Sequence, residues 1–215
     1  MPRIALIHAL AHSVAPINEA FASSWPTAVL MNLLDDSLSA DLARSGKGLD
    51  EAMHQRFEVL GDYAVATGAD AILFTCSAFG PCIEAVARRH AAVPVLKPNE
   101  AMIEEACRSG GRVGLIASFA PTLESMPPEF PPGTLLDCEF ADGAMDALNR
   151  GDTERHDAQV VAAAQRLQAR GCAVVALAQF SMARAADPVR ASVPLPVVTT
   201  VDSAVAKLRS RIGQG

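Results

Sequence analysis

With 215 residues, half of them hydrophobic, the chain is long enough to bury a sizeable core in one large domain or two small lobes. Its net charge of −6 and pI near 5.3 argue against nucleic acid as the main partner, because no stripe of lysine or arginine could neutralise a phosphate backbone. No apolar run approaches the roughly 20 residues that cross a bilayer, so we expect no membrane partner.

The cysteines are odd in number, widely spaced and without a CxxC pair, so they do not form a disulfide framework. The opening MPRIALIHAL turns polar too soon for a signal peptide and is interpreted as a first strand, which favours a cytoplasmic location. Histidines at 54, 90 and 156 show no metal-ligand spacing with the cysteines, so we predict no metal site.

Strands and helices alternate along the first half of the chain. We predict strands over residues 4–7, 29–33 and 71–74 and in VPVLKP, with helices around Ile17 to Phe21 and over residues 51–67 and 98–109. The polar, glycine-containing segment 37–50 is expected to be a mobile connection.

The most informative stretch of the sequence is the run AILF at residues 71–74, which suits a parallel strand covered on both faces. Thr75, Cys76 and Ser77 end this strand, and Pro81 fits the first turn of a following helix. Cys76 therefore lies at the carboxyl end of a strand, where open α/β sheets bind ligands. A helix amino terminus at that place is expected to lower the pKa of the thiol.

The second half repeats the first in order. IALIHALAHS corresponds to VGLIASFAPT, GADAILFTCS to GCAVVALAQF, and VPVLKP to VPLPVV, followed by a closing helix over residues 202–212. We predict an α/β fold of two pseudo-symmetric lobes, each a mostly parallel sheet flanked by helices, with a cleft between them. The first lobe comprises residues 1–97 and 199–215, and the second residues 98–198. One continuous doubly wound sheet is the alternative.

With this duplication and a cysteine after GADAILFT, the chain resembles the aspartate/glutamate/hydantoin racemase superfamily over nearly its whole length. The resemblance implies carbanion chemistry beside a carboxylate, with no metal or organic cofactor. In such racemases each lobe supplies one cysteine, and the two thiols act on opposite faces of the substrate. Arylmalonate decarboxylases in the superfamily keep a single cysteine, in the second lobe, whereas maleate isomerases use both positions.

The second cysteine of the pair is missing here. Cys76 lies eight residues after Gly68, and the residue eight after Gly171 is Gln179, which cannot ionise. Cys172 does not replace it, since it lies at the other end of the same strand. The sequence therefore remains compatible with proton transfer by a single thiol, or with addition of that thiol at an activated carbon.

Around Cys76, the hydroxyls of Thr75 and Ser77 and the turn amides of Ser77 and Ala78 are expected to hold a substrate carboxylate. The alternatives are that the hydroxyls cap the helix and that Cys76 is an inert buried thiol. His8 follows the first strand and is a candidate acid or base or a substrate contact, as is His12; a structural hydrogen bond is the alternative.

The second lobe supplies the remaining candidates. The family implies that the turn with Ser118 and Thr122 helps to hold the carboxylate, although both could cap a helix. Gln179 could orient substrate, Phe180 could select an apolar substituent or fill the core, and Ser181 could donate a hydrogen bond. The predicted substrate-binding residues are therefore Thr75, Ser77, Ala78, Ser118, Thr122, Gln179, Phe180, Ser181 and His8, with Cys76 as the catalytic residue.

The sequence thus predicts a cofactor-independent racemase/isomerase-type enzyme that acts through a thiol at a carbon next to a carboxylate of an amino acid or derivative. A single-cysteine decarboxylase or isomerase of the same superfamily is one alternative. A non-catalytic protein that binds small anions is another. We expect a small carboxylate substrate and, by default for such enzymes, a homodimer.

Overall fold

The computed structural model describes residues 1–213. The chain divides into two compact units, Met1–Pro98 with the segment that begins at Ala204, and Asn99–Ser203. They are called the first and second lobes below. Each contains a four-stranded parallel sheet flanked by helices, so the predicted two-lobe α/β fold is confirmed.

The first lobe contains strands and helices in strict alternation except for two consecutive helices. They are β1 (Arg3–His8), α1 (Val14–Ser24), β2 (Val29–Leu34), α2 (Ser37–Ser45), α3 (Glu51–Ala66), β3 (Ala71–Phe74), α4 (Gly80–Arg89) and β4 (Val95–Leu96). The sheet order is β2-β1-β3-β4. The central strands β1 and β3 pair in parallel with Ile7 opposite Phe74, and their apolar residues are buried, as expected for strands covered on both faces.

The segment 37–50, which the sequence predicts to be a mobile connection, contains the helix α2. Leu38 and Leu42 lie one turn apart on one face of α2, and both are buried. The helix ends at Gly46, whose φ of 62° is the left-handed conformation that glycine adopts readily. Two leucines at helical spacing therefore anchor this polar segment in the core of the lobe.

The second lobe repeats the arrangement with more helices. It contains α5 (Glu100–Arg108), β5 (Val113–Ala117), α6 (Ala120–Ser125), β6 (Leu136–Phe140), α7 (Ala144–Asn149), α8 (Thr153–Ala169), β7 (Val174–Leu177), α9 (Ala186–Ser192) and β8 (Val197–Thr199). The sheet order is β6-β5-β7-β8. The helix α10 (Thr200–Ile212) begins in this lobe and continues in the first.

The core of the second lobe lies on both faces of its sheet. Ile116 and Leu177 pack on the face covered by α8, whereas Leu115 and Ala176 pack on the face covered by α5. Successive strand residues point to opposite faces, so a continuous apolar run fills both layers. This packing brings the carboxyl ends of β5, β7 and β8 to one edge of the sheet.

Gly114 on β5 allows α8 to approach the sheet closely. A Cβ placed on Gly114 would lie 2.7 Å from Leu167 Cδ1 and 3.2 Å from Cys172 Sγ. We therefore expect Gly114→Ala to lower the free energy of unfolding by about 1–3 kcal/mol, measured by urea denaturation.

The double variant Gly114→Ala/Leu167→Ala provides the control. Leu167→Ala alone should destabilise the protein by about 2–5 kcal/mol, because it leaves a cavity. It also removes the atom nearest the new methyl group, so the double variant should lose less stability than the two single variants summed. Strictly additive losses would show that Leu167 is not what excludes a side chain at Gly114.

Within residues 1–213, no helix combines the length and the apolar character that a membrane span requires.

Candidate active site

Cys76 follows β3 at the carboxyl edge of the first-lobe sheet. Its backbone is still extended, with φ of −119° and ψ of 121°. A short 3-10 helix, Ser77–Phe79, comes next, and α4 begins only at Gly80, with Pro81 in its first turn. The predicted strand, turn and helix are therefore present, but a 3-10 turn separates the thiol from the amino terminus of α4.

The sulfur of Cys76 has two polar neighbours. The amide of Ala78 donates a hydrogen bond to it, and Ser39 Oγ on α2 lies 3.9 Å away. Burial raises the pKa of the Cys76 thiol, and this effect outweighs the lowering by the Ala78 amide and the Ser39 hydroxyl. The expectation that the helix terminus lowers this pKa was wrong, because desolvation of the thiolate dominates.

His8 joins three strands beneath the cysteine. Its Nε2–H donates to Asn32 Oδ1 on β2 at 2.9 Å, and its Nδ1 accepts from Thr75 Oγ1 at 2.8 Å. The side chain of His8 is fully buried, and burial lowers its pKa more than the bond to Asn32 raises it. A neutral imidazole thus links β1 and β2 to Thr75, the residue immediately before Cys76. His8 and Thr75, both predicted to contact substrate, are hydrogen-bonded to each other.

Asp35, the residue that follows β2, belongs to an ion-pair cluster. It accepts from Arg56 Nη2 at 2.7 Å and from Ser37 Oγ at 2.6 Å, and Arg56 Nη1 also binds Asp41 on α2 at 2.8 Å. Burial alone would raise the pKa of Asp35, but the bonds from Ser37 and Arg56 hold it below its ordinary value. Arg56 on α3 therefore fixes α2, the helix that carries Ser39.

In the second lobe, Gln179 links the ends of two neighbouring strands. Its Oε1 accepts from the Ser118 amide at 2.5 Å, from the Phe119 amide at 3.1 Å and from Ser118 Oγ at 3.2 Å. Ser118 and Phe119 follow β5, and Gln179 follows β7. The side chain that replaces the expected second cysteine is thus an internal hydrogen-bond acceptor for this turn.

The other predicted residues are buried at the same two edges. Ser77 and Ala78 lie in the 3-10 helix after Cys76, and Thr122 lies in α6. Phe180 is buried in the core at the start of a 3-10 helix. Ser181, in the same helix, is 2% exposed, and its Oγ has no hydrogen-bond partner among residues 1–213.

Two polar residues of the first-lobe cluster escaped the sequence analysis. Ser39 was overlooked because its helix was not predicted, although the spacing of Leu38 and Leu42 indicated one. Asn32 is the one polar residue in the strand VLMNLL, which was a usable signal for a side chain that hydrogen-bonds a neighbouring strand. Across the described part of the chain, no group of three or more His, Cys, Asp and Glu side chains is arranged to hold a metal ion.

Comparisons with known proteins place the chain in a family and identify structures with the same fold. The family model described as Asp/Glu/Hydantoin racemase matches residues 11–208. A comparison with curated protein sequences found no match.

Several solved structures share the fold at low sequence identity. Glutamate racemase from Francisella tularensis, in complex with D-glutamate, has a TM-score of 0.77 and 15% identity, covering 99% of this chain and 81% of its own. Allantoin racemase from Klebsiella pneumoniae has a TM-score of 0.71 and 19% identity, covering 100% and 89%. The Gly74Cys mutant of arylmalonate decarboxylase, in a sulfate-associated form, has a TM-score of 0.65 and 16% identity, covering 100% and 94%.

Proposed function

Because this chain belongs to the Asp/Glu/hydantoin racemase family, we propose that it is a cofactor-independent isomerase-type enzyme. In this proposal Cys76 transfers a proton to or from a carbon next to a carboxylate of an amino acid or a related small acid. The glutamate and allantoin racemases that share the fold support this class of substrate.

The observation that carries the proposal is the set of contacts to the Cys76 sulfur. With a raised pKa, the group rests as a protonated thiol at neutral pH and is a proton donor first. The Ala78 amide and the Ser39 hydroxyl then lie where they stabilise the thiolate left after donation. The Ala78 amide donates to the sulfur, and the Ser39 hydroxyl can donate to it once the thiol has lost its proton.

A second candidate, decarboxylation with a single thiol, is favoured by Gln179. Racemisation needs one group to remove the proton and another to return one on the opposite face, and an amide can do neither at neutral pH. In decarboxylation the bond between the α-carbon and one carboxylate breaks, and carbon dioxide leaves. The electron pair stays on the α-carbon and takes the proton from the Cys76 S–H bond, after which water reprotonates the thiolate.

Deuterium incorporation from D2O tests the proposal. The protein is incubated with D- and L-amino acids, hydantoins and substituted malonates, and the α-carbon is followed by NMR. Exchange that gives both enantiomers supports an isomerase, whereas carbon dioxide release with deuterium on one face supports the decarboxylase. Neither exchange nor carbon dioxide release with any substrate would rule out both and favour a protein that only binds small anions.

The resting state of the thiol predicts its alkylation behaviour. We expect iodoacetamide to modify Cys76 more slowly at neutral pH than it modifies N-acetylcysteine in the same buffer, with a midpoint above the ordinary thiol pKa. Ser39→Ala should shift this midpoint further upward, because it removes a hydroxyl that lowers the pKa of the thiol. Mass spectrometry of the Cys76 peptide over a pH series measures both, and faster alkylation than N-acetylcysteine would contradict a protonated resting thiol.

A further inference from the structure

The hydrogen bonds of Gln179 determine the orientation of its side-chain amide. Two backbone N–H groups, those of Ser118 and Phe119, converge on one side-chain atom, and only an oxygen can accept from both. Oε1 must therefore occupy that position, and the NH2 group must point away from the turn.

The NH2 group at the other end of this amide is not used by the protein itself. Nε2 of Gln179 donates no hydrogen bond to any residue of 1–213. The side chain is 8% exposed, so it is nearly but not completely enclosed by the protein. Acceptance of hydrogen bonds at Oε1 polarises the amide and strengthens its N–H groups as donors.

The neighbouring Ser181 provides an independent observation. Its hydroxyl, two residues beyond Gln179 in the 3-10 helix that follows β7, is 2% exposed and has no hydrogen-bond partner in the described chain. A buried hydroxyl without a partner costs free energy in the unliganded protein and requires an explanation. The end of β7 thus carries two polar groups with unfilled hydrogen-bonding capacity.

We propose that Gln179 Nε2 is a specificity-determining donor that binds a carboxylate or carbonyl oxygen of the substrate. Oε1 accepts the hydrogen bonds of the backbone amides that follow β5, so those amides are not available to a ligand. The NH2 group of the side chain is the donor that remains. Ser181 Oγ, two residues further along the chain, is a second group with unfilled hydrogen-bonding capacity. This inference rests on the proposed function, since it takes the ligand to be the small carboxylate of that reaction.

Gln179→Glu separates this role from a merely structural one. A carboxylate keeps an oxygen for the Ser118 and Phe119 amides, and these bonds favour its charged form. It replaces the NH2 donor with a second acceptor that repels an anion. Gln165→Glu, at an exposed position of α8, adds the same charge elsewhere and is the matched control.

Binding is measured by titrating 15N-labelled protein with malonate, D-glutamate and L-glutamate. The side-chain NH2 signals of Gln179 are identified by their absence in Gln179→Glu. We expect them to shift saturably with at least one probe, and we expect Gln179→Glu to bind that probe at least about tenfold more weakly, while Gln165→Glu binds normally. Unmoved Gln179 signals, equal affinity in Gln179→Glu, or no binding of any probe would overturn the inference.

The same titration distinguishes this inference from the proposed function. Cys76→Ser removes the reacting thiol and leaves Gln179 untouched, so it should still bind the probe and shift the Gln179 signals. If wild type binds in this way but shows no exchange or decarboxylation, the proposed reaction fails and the donor role stands. If Gln179→Glu does not fold, the shift of the Gln179 signals in the wild-type protein alone decides.

Discussion

Replacing Cys76 with serine is expected to lower proton transfer at the α-carbon by about two to four orders of magnitude, the range that a positioned acid or base contributes. A serine hydroxyl is nearly the same size but a far weaker acid than a thiol. Its Oγ can still accept a hydrogen bond from the Ala78 amide, so the fold should be retained. Deuterium exchange or product release, measured with the best substrate from the panel, gives the rate.

Cys138→Ser is the matched control for this change. Cys138 is an exposed free cysteine on β6, so the substitution removes a thiol without touching the end of β3. We expect wild-type rates from it and unaltered thermal unfolding from both variants. Undiminished exchange in Cys76→Ser would remove the thiol from the mechanism, and an equal loss in Cys138→Ser would indicate a general effect of thiol removal.

The raised pKa of Cys76 adds a pH dependence to this prediction. A proton donor must be protonated, and burial keeps this thiol protonated beyond the pH at which an ordinary thiol ionises. Activity that depends on donation should therefore persist into mildly alkaline solution. Activity that depended on a resting thiolate would instead rise with pH over the same range. The pH profile of activity therefore shows whether Cys76 first donates or first removes a proton.

The elements that could be predicted from the sequence are those with local signals. The apolar run of residues 71–74 predicted β3 with its observed bounds, and Pro81 indicated the first turn of the helix that follows. The internal repeat then predicted a matching position for Cys76 in the second lobe, occupied by Gln179. Each of these inferences needs only neighbouring residues or a comparison of the chain with itself.

The contacts that the sequence could not supply join residues far apart in the chain. Ser39 reaches Cys76 across 37 positions, and Gln179 reaches Ser118 across 61. The first depends on α2 being held by the ion pairs of Arg56, and the second on the pairing of β5 with β7. Likewise, the direction of the Cys76 pKa shift depends on how much protein surrounds the sulfur, which no local pattern encodes.

The second large effect is expected at His8. His8→Ala should lower the free energy of unfolding by about 2–4 kcal/mol, because it leaves a cavity and removes the partner of Asn32 and Thr75. His8→Gln, which can still reach both, should lose less. His54→Ala, on the partly exposed side of α3, is the control and should stay near wild type. Urea denaturation near neutral pH measures all three, and a wild-type stability for His8→Ala would show that the buried bonds contribute nothing net.

Because burial lowers the pKa of His8 below its ordinary 6.5, this residue also makes stability depend on pH. Above that value the imidazole is neutral in both the folded and the unfolded chain and has no effect on the pH slope. As the pH falls below it, the unfolded chain binds a proton that the folded chain refuses, so stability is lost until the folded pKa is reached. His8→Gln has no such group and should lose less stability than the wild-type protein on acidification. Equal slopes of stability against pH for wild type and His8→Gln would mean that His8 takes up a proton while the protein stays folded. The strand that ends at His8 would then be far less rigid than its hydrogen bonds indicate.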